Sequence, residues 1–216
     1  MIQLEVPIGL SDHIRGDRNA PMILVEYADY DSPECRSAHW HVHAVQEHFG
    51  ARVAFVFRHF PLPEMHPHAL PAAAAAEFAA AHGRFWDMHE RILASQEELS
   101  VPVLQAIAES LDLPGQDLVA ALESSTYTEK VREDLLGGVR SNVTGVPTFF
   151  LNGGSSSICS CRSFVSQYPG IAQRGSDPAP GDRVRLARTR GIAPTGHGCF
   201  RPRGILRGHI FLLVDP

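Results

Sequence analysis

ILVEYADYDSPECRSAHWHVHAVQEHF, residues 23–49, is the stretch from which the fold is read. It opens on Ile23-Leu24-Val25, an apolar run suited to a buried strand, and continues through Glu26, Tyr27 and Ala28. Ser32-Pro33-Glu34-Cys35 then turns the chain into a helix. Serine is a favoured N-cap because its hydroxyl accepts a free N–H of the first turn. Proline suits the first helical position, and Glu34 complements the positive end of the helix dipole. Cys35, Ala38, Val42, Val45 and Phe49 recur at spacings of three and four, so one stripe of this helix faces inward. Cys35 begins that stripe, and Ser32 is expected at the exposed tip of the same turn. A polar atom at a helix N-terminus, with a thiol three residues later, suits thiolate or anion chemistry.

Working outward, Gly50 reads as the helix C-cap, and Val53–Phe57 is a continuous apolar run of the kind a central strand uses. Strand, helix and second strand predict a βαβ unit with parallel strands. Pro61 and Pro63 end the second strand. Helical periods follow at Leu70–Ala81, Phe85–Ala94, Val101–Leu111, Asp117–Leu122 and Thr128–Val139, an inserted helical block over about 64–142. Gly145 and Pro147 lead into a third strand, Thr148–Leu151, and Asn152-Gly153 is a hairpin signal. Ahead of all this, residues 1–21 carry turn formers and no sustained period, and read as an extended lead-in.

Tyr27-x-Asp29-Tyr30-x-Ser32-Pro33-x-Cys35 resembles the active-site segment of the DsbA-like branch of the thioredoxin superfamily, where the hinge normally reads C-P-x-C. Phe55-Val56-Phe57-Arg58-His59-Phe60-Pro61-Leu62 is similar to the second-strand signature of its cytoplasmic and antiporter-associated members. His66-Pro67-His68-Ala69 and Phe85-Trp86-Asp87-Met88-His89 resemble parts of the family's helical insertion, and Gly145-Val146-Pro147-Thr148-Phe149-Phe150 resembles its cis-proline loop. The likeness covers about Asp17 to Asn152. It implies an α/β thioredoxin-like fold and membership of the thiol–disulfide oxidoreductases. It also marks a departure, because the family's nucleophilic cysteine is Ser32 here.

The resemblance sets roles beside plainer readings. Cys35 holds the position of the resolving thiol, yet a lone inward cysteine is equally an inert small hydrophobe. Ser32 is an N-cap, or a hydroxyl that stabilises a bound thiolate as in the kappa-class glutathione transferases, which S-P-x-[SC] hinges also resemble. Glu26 matches the buried acid beneath many DsbA-like sites, where it assists proton transfer, or is an ordinary strand-edge carboxylate. Pro33 and Glu34 at the hinge, with Val146, Pro147 and Thr148 at the loop, are the implied contacts for an extended substrate. Dithiol exchange by Ser32 and Cys35 together is excluded, because a hydroxyl cannot form the disulfide. Three functions stay open: monothiol chemistry at Cys35, a glutathione-dependent transferase or isomerase using Ser32, and a redox-inactive peptide-binding module.

His39 and His43 share a helix face and His66-x-His68 lies at a turn, but no carboxylate or cysteine completes a metal set at ligand spacing. Solvated histidines are the reading there, and no metal is expected. No cofactor is implied beyond glutathione as a candidate ligand. Protein or peptide thiols and disulfides, or glutathione, are the implied partners.

The net charge of −5 argues against nucleic acid, and no apolar run is long enough to span a membrane. With no signal-peptide pattern, the expected location is cytoplasmic. Charge also marks a boundary. Residues 1–153 hold ten Arg/Lys and 21 Asp/Glu, whereas 154–216 hold nine Arg and three Asp and contain neither Lys nor Glu. The domain is therefore read as 1–153. Residues 154–216 read as an irregular Arg/Gly/Ser/Pro-rich tail, either out of frame or a disordered extension, in place of the fold's last strand and helix. Within the tail only Ile205–Val214 could form a strand. Cys159, Cys161, His197 and Cys199 make a zinc set on paper only.

Overall fold

The computed structural model describes residues 4–152 and the two-residue strand Ile210–Phe211. Met22–Ala28 forms β2 and Val53–His59 forms β3, paired in parallel from Met22↔Val53 to Ala28↔His59. The helix between them, α1 (Pro33–Phe49), makes the predicted βαβ unit. Its stripe of Cys35, Ala38, Val42, Val45 and Phe49 is buried, as the spacing requires. All seven residues of β3 are buried, in keeping with a strand that has neighbours on both edges.

One of those neighbours departs from the sequence reading. His13–Arg15, within the stretch expected to be an extended lead-in, is β1 and pairs antiparallel with β3. Three residues are too few to show a period, and the strand exists because β3 offers it a hydrogen-bonding edge. Thr148–Leu151 is β4, antiparallel to β2, and Ile210–Phe211 is β5, antiparallel to β4. The sheet order is β1-β3-β2-β4-β5. Thus β5 falls inside the Ile205–Val214 window and supplies a partner at the β4 edge. The rest of the tail, with its paper zinc set, lies outside the described residues.

Between β3 and β4 come α2 (Ala69–Ala81), α3 (Phe85–Ala94), α4 (Val101–Ser110), α5 (Gly115–Glu123) and α6 (Thr128–Arg140). Alanines dominate α2, and their small side chains let α3, α4, α5 and α6 all pack against it. α6 in turn lies on β3. Its Gly137-Gly138 pair is costly for a helix by propensity, about 1 kcal/mol per glycine relative to alanine. Close approach explains Gly138, where a Cβ would sit 2.5 Å from Phe60 Cδ2 and 3.1 Å from Tyr27 Cδ1.

Arg58 fixes the lead-in. From β3 its guanidinium grips both carboxylate oxygens of buried Asp12, at 2.7 and 2.9 Å. It also donates to the Tyr27 hydroxyl at 2.8 Å and to the Val6 and Pro7 carbonyls, each at 3.0 Å. The arginine of the second-strand signature is therefore structural here, and Asp12, which reads as a turn former, is its counter-ion.

Candidate active site

The hinge leaves the C-terminal end of β2, and the register Tyr27↔Thr148 brings the Val146-Pro147 loop to the same end of the sheet. Asp29 ties the hinge to the segment that follows β3. Its carboxylate accepts the Asp31 and Leu62 N–H groups, both at 2.9 Å, and lies 2.8 Å from His66 Nδ1. Its own N–H points at Cys35 Sγ, 3.4 Å away. Sequence reading gave Asp29 no role. The signal that could have found it is the tendency of aspartate to accept the N–H two residues on.

Ser32 is the N-cap. Its Oγ accepts the Cys35 N–H at 3.3 Å and donates to Glu34 Oε2 at 2.7 Å. The expected exposed tip is corrected, since Ser32 is 0% exposed. Capping folds the hydroxyl back over the first turn, where Glu34 receives its proton. That bond holds the Glu34 carboxyl below its ordinary range. Pro33 is exposed and Glu34 half-buried, so these two form the open face of the hinge.

Cys35 is 1% exposed. Burial, followed by the charge of Glu26, drives its thiol well above the ordinary cysteine value. The bonds from Asp29 and Ser32 oppose this without reversing it. Glu26 is 3% exposed, and burial raises its carboxyl from 4.5 to about 8. It makes no hydrogen bond among the described residues, so nothing offsets the loss of hydration. The Glu26 acid and the Cys35 thiol are thus both buried and both held protonated near neutral pH.

At the loop, the Val146–Pro147 peptide is cis. Pro147 and Thr148 are buried, with the Thr148 hydroxyl donating to the Gly145 carbonyl at 2.6 Å, whereas Gly145 and Val146 are half-buried. Among the described residues, neither the Val146 N–H nor its carbonyl has a backbone partner.

The histidines are not simply solvated. His39 is buried because α3 covers that face of α1, and it meets Glu90 together with His43. His66 belongs to the Asp29 network, and His68 pairs with Glu98.

A family model described as thioredoxin matches residues 10–158. The chain belongs to the thioredoxin family. Among solved thioredoxin-type structures it resembles DsbA-type proteins. Oxidised BdbD from Bacillus subtilis superposes with a TM-score of 0.62 at 22% identity, over 75% of this chain and 91% of that one. The thiol-disulfide exchange protein alpha-DsbA2 from Wolbachia pipientis gives 0.58 at 18% identity, over 67% and 77%. At these identities the likeness speaks to the fold. A curated relative, the Na(+)/H(+) antiporter NhaA 1 of Salinispora arenicola, is 39% identical over 191 residues, which span 86% of this chain but 29% of that protein.

Proposed function

We propose that this thioredoxin-family domain is a redox-inactive binding module that takes an extended peptide segment at the Val146-Pro147 loop, together with the exposed Pro33 and half-buried Glu34 of the hinge. The observation that carries this reading is the state of Cys35. A thiol with 1% exposure and a raised pKa offers neither access nor thiolate. Ser32 removes dithiol exchange, and its hydroxyl already donates to Glu34, so stabilising a glutathione thiolate would require breaking that bond. The Val146 N–H and carbonyl, without a backbone partner among the described residues, would supply what strand addition needs, one donor and one acceptor at the end of the sheet from which the hinge leaves. Transport, the activity in the relatives' names, has no counterpart in the described helices, none of which is long and apolar enough to cross a membrane. The aligned part of those longer proteins is read as their thioredoxin-type portion.

The test is intact mass after incubating native protein with oxidised glutathione, with peptide mapping to separate Cys35 from the three tail cysteines. Cys35 should acquire no adduct until the protein is unfolded, and Cys35→Ala should leave peptide binding unchanged. A native adduct on Cys35 would overturn the reading in favour of monothiol chemistry.

A further inference from the structure

We propose that His39, His43 and Glu90 form a binding site for a divalent transition-metal ion of the zinc class, joining α1 to α3. This goes beyond the peptide-binding reading and does not depend on it. His39 and His43 stand one turn apart on α1, and their Nε2 atoms converge on a single atom, Glu90 Oε2, at 3.0 and 2.8 Å. The three ligand atoms all lie within 4.8 Å of one another. In a tetrahedral zinc site with bonds of about 2.0–2.2 Å, neighbouring donor atoms stand roughly 3.3 Å apart. The two nitrogen–oxygen distances need lengthen by only a few tenths of an ångström to reach that spacing. Two imidazoles and one carboxylate suit zinc and its neighbours and not the hard cations calcium or magnesium.

The surroundings fit a ligand set. Glu90 Oε1, the oxygen not used by the histidines, is buried without a hydrogen-bond partner and is held by charge alone, 2.6 Å from Arg15 Nη1, with Arg15 itself seated 4.4 Å over the Trp86 ring. A ligating carboxylate oriented through its free oxygen is the usual outer support of a metal site. His39 is 4% exposed and His43 37%, so the cluster has a walled side and an open side where water can take the remaining position.

A second trio, His13, His59 and Glu77, has the same composition and makes the natural control. There the other ring nitrogen of His59, Nδ1, is buried without a partner, and metal on Nε2 would leave a buried N–H unpaired. The tail cysteines are a rival of different chemistry.

The experiment is calorimetric titration of zinc into the metal-free full chain, repeated with cobalt to read the ligand type from its absorption. Wild type, His43→Ala, Glu90→Gln and His13→Ala are compared with a variant carrying Cys159→Ser, Cys161→Ser and Cys199→Ser. His43 is partly exposed, so its replacement should leave the circular-dichroism spectrum unchanged. Binding should weaken at least about tenfold in His43→Ala and Glu90→Gln, persist in His13→Ala and in the cysteine variant, and show no thiolate band with cobalt. Absence of zinc binding by the wild type, full affinity in His43→Ala, or loss confined to His13→Ala or the cysteine variant would each overturn the proposal.

Discussion

Replacing Glu26 with glutamine should abolish much of the pH dependence of this domain's stability between mildly acidic and mildly alkaline solution. The folded carboxyl titrates at about 8 against an ordinary 4.5. Below the lower value the group is protonated in both folded and unfolded chains and carries no penalty. As pH rises from 4.5, the unfolded carboxyl ionises while the folded one cannot, so stability falls until pH passes the folded value and then levels off, this group's contribution having been fully lost. The slope is about 1.4 kcal/mol per pH unit. Integrated from about pH 5 to about pH 8, with the slope halving near the upper end, the loss is about 3.5 kcal/mol. The Glu26 carboxyl makes no hydrogen bond among the described residues, so glutamine forfeits none, and any cost of burying its amide is independent of pH. Urea unfolding of wild type and Glu26→Gln at several pH values gives the two free energies. Their difference should move in favour of the variant by that amount across the range. A constant difference would show that the Glu26 carboxyl is not desolvated, and the picture of a buried acid held protonated near neutral pH would fall with it.

Two further outcomes probe the hinge and the helix seating. Ser32→Cys should convert the hinge into one that reduces insulin, because it restores a dithiol across the first turn of α1. A variant with a native circular-dichroism spectrum and no such activity would count against Ser32-Cys35 as the family's active-site position. Gly138→Ala should destabilise the domain by about 1–3 kcal/mol, since the new methyl meets the Phe60 ring at 2.5 Å. An unchanged melting temperature would mean that α6 does not lie as close to the sheet as described.

Much of the fold was legible because it is written in local periods. The stripe from Cys35 to Phe49, the apolar run of β3 and the helices of the insertion each appear within a residue or two of their observed bounds. β1 was not legible, because a three-residue edge strand is created by its partner and not by its own pattern. The candidate site divides the same way. Ser32 as N-cap follows from residue type and position, but its complete burial does not, because residue type does not tell which way the hydroxyl turns to meet Glu34. Glu26 was open between two readings until the sheet enclosed it. Glu90 could not be joined to the His39–His43 pair from spacing, because it arrives on a different helix, 47 residues after His43.

The grip of Arg58 on the lead-in bears on how this domain can be attached to anything else. Leu4 is buried, the Glu5 N–H donates to Ser141 Oγ at 3.1 Å, and the Val6 and Pro7 carbonyls are held by a guanidinium rooted in β3. A tag or fusion partner joined ahead of Leu4 therefore acts on the domain through an anchored segment. A pull transmitted through Val6 and Pro7 would load β3 before it loaded the helical insertion.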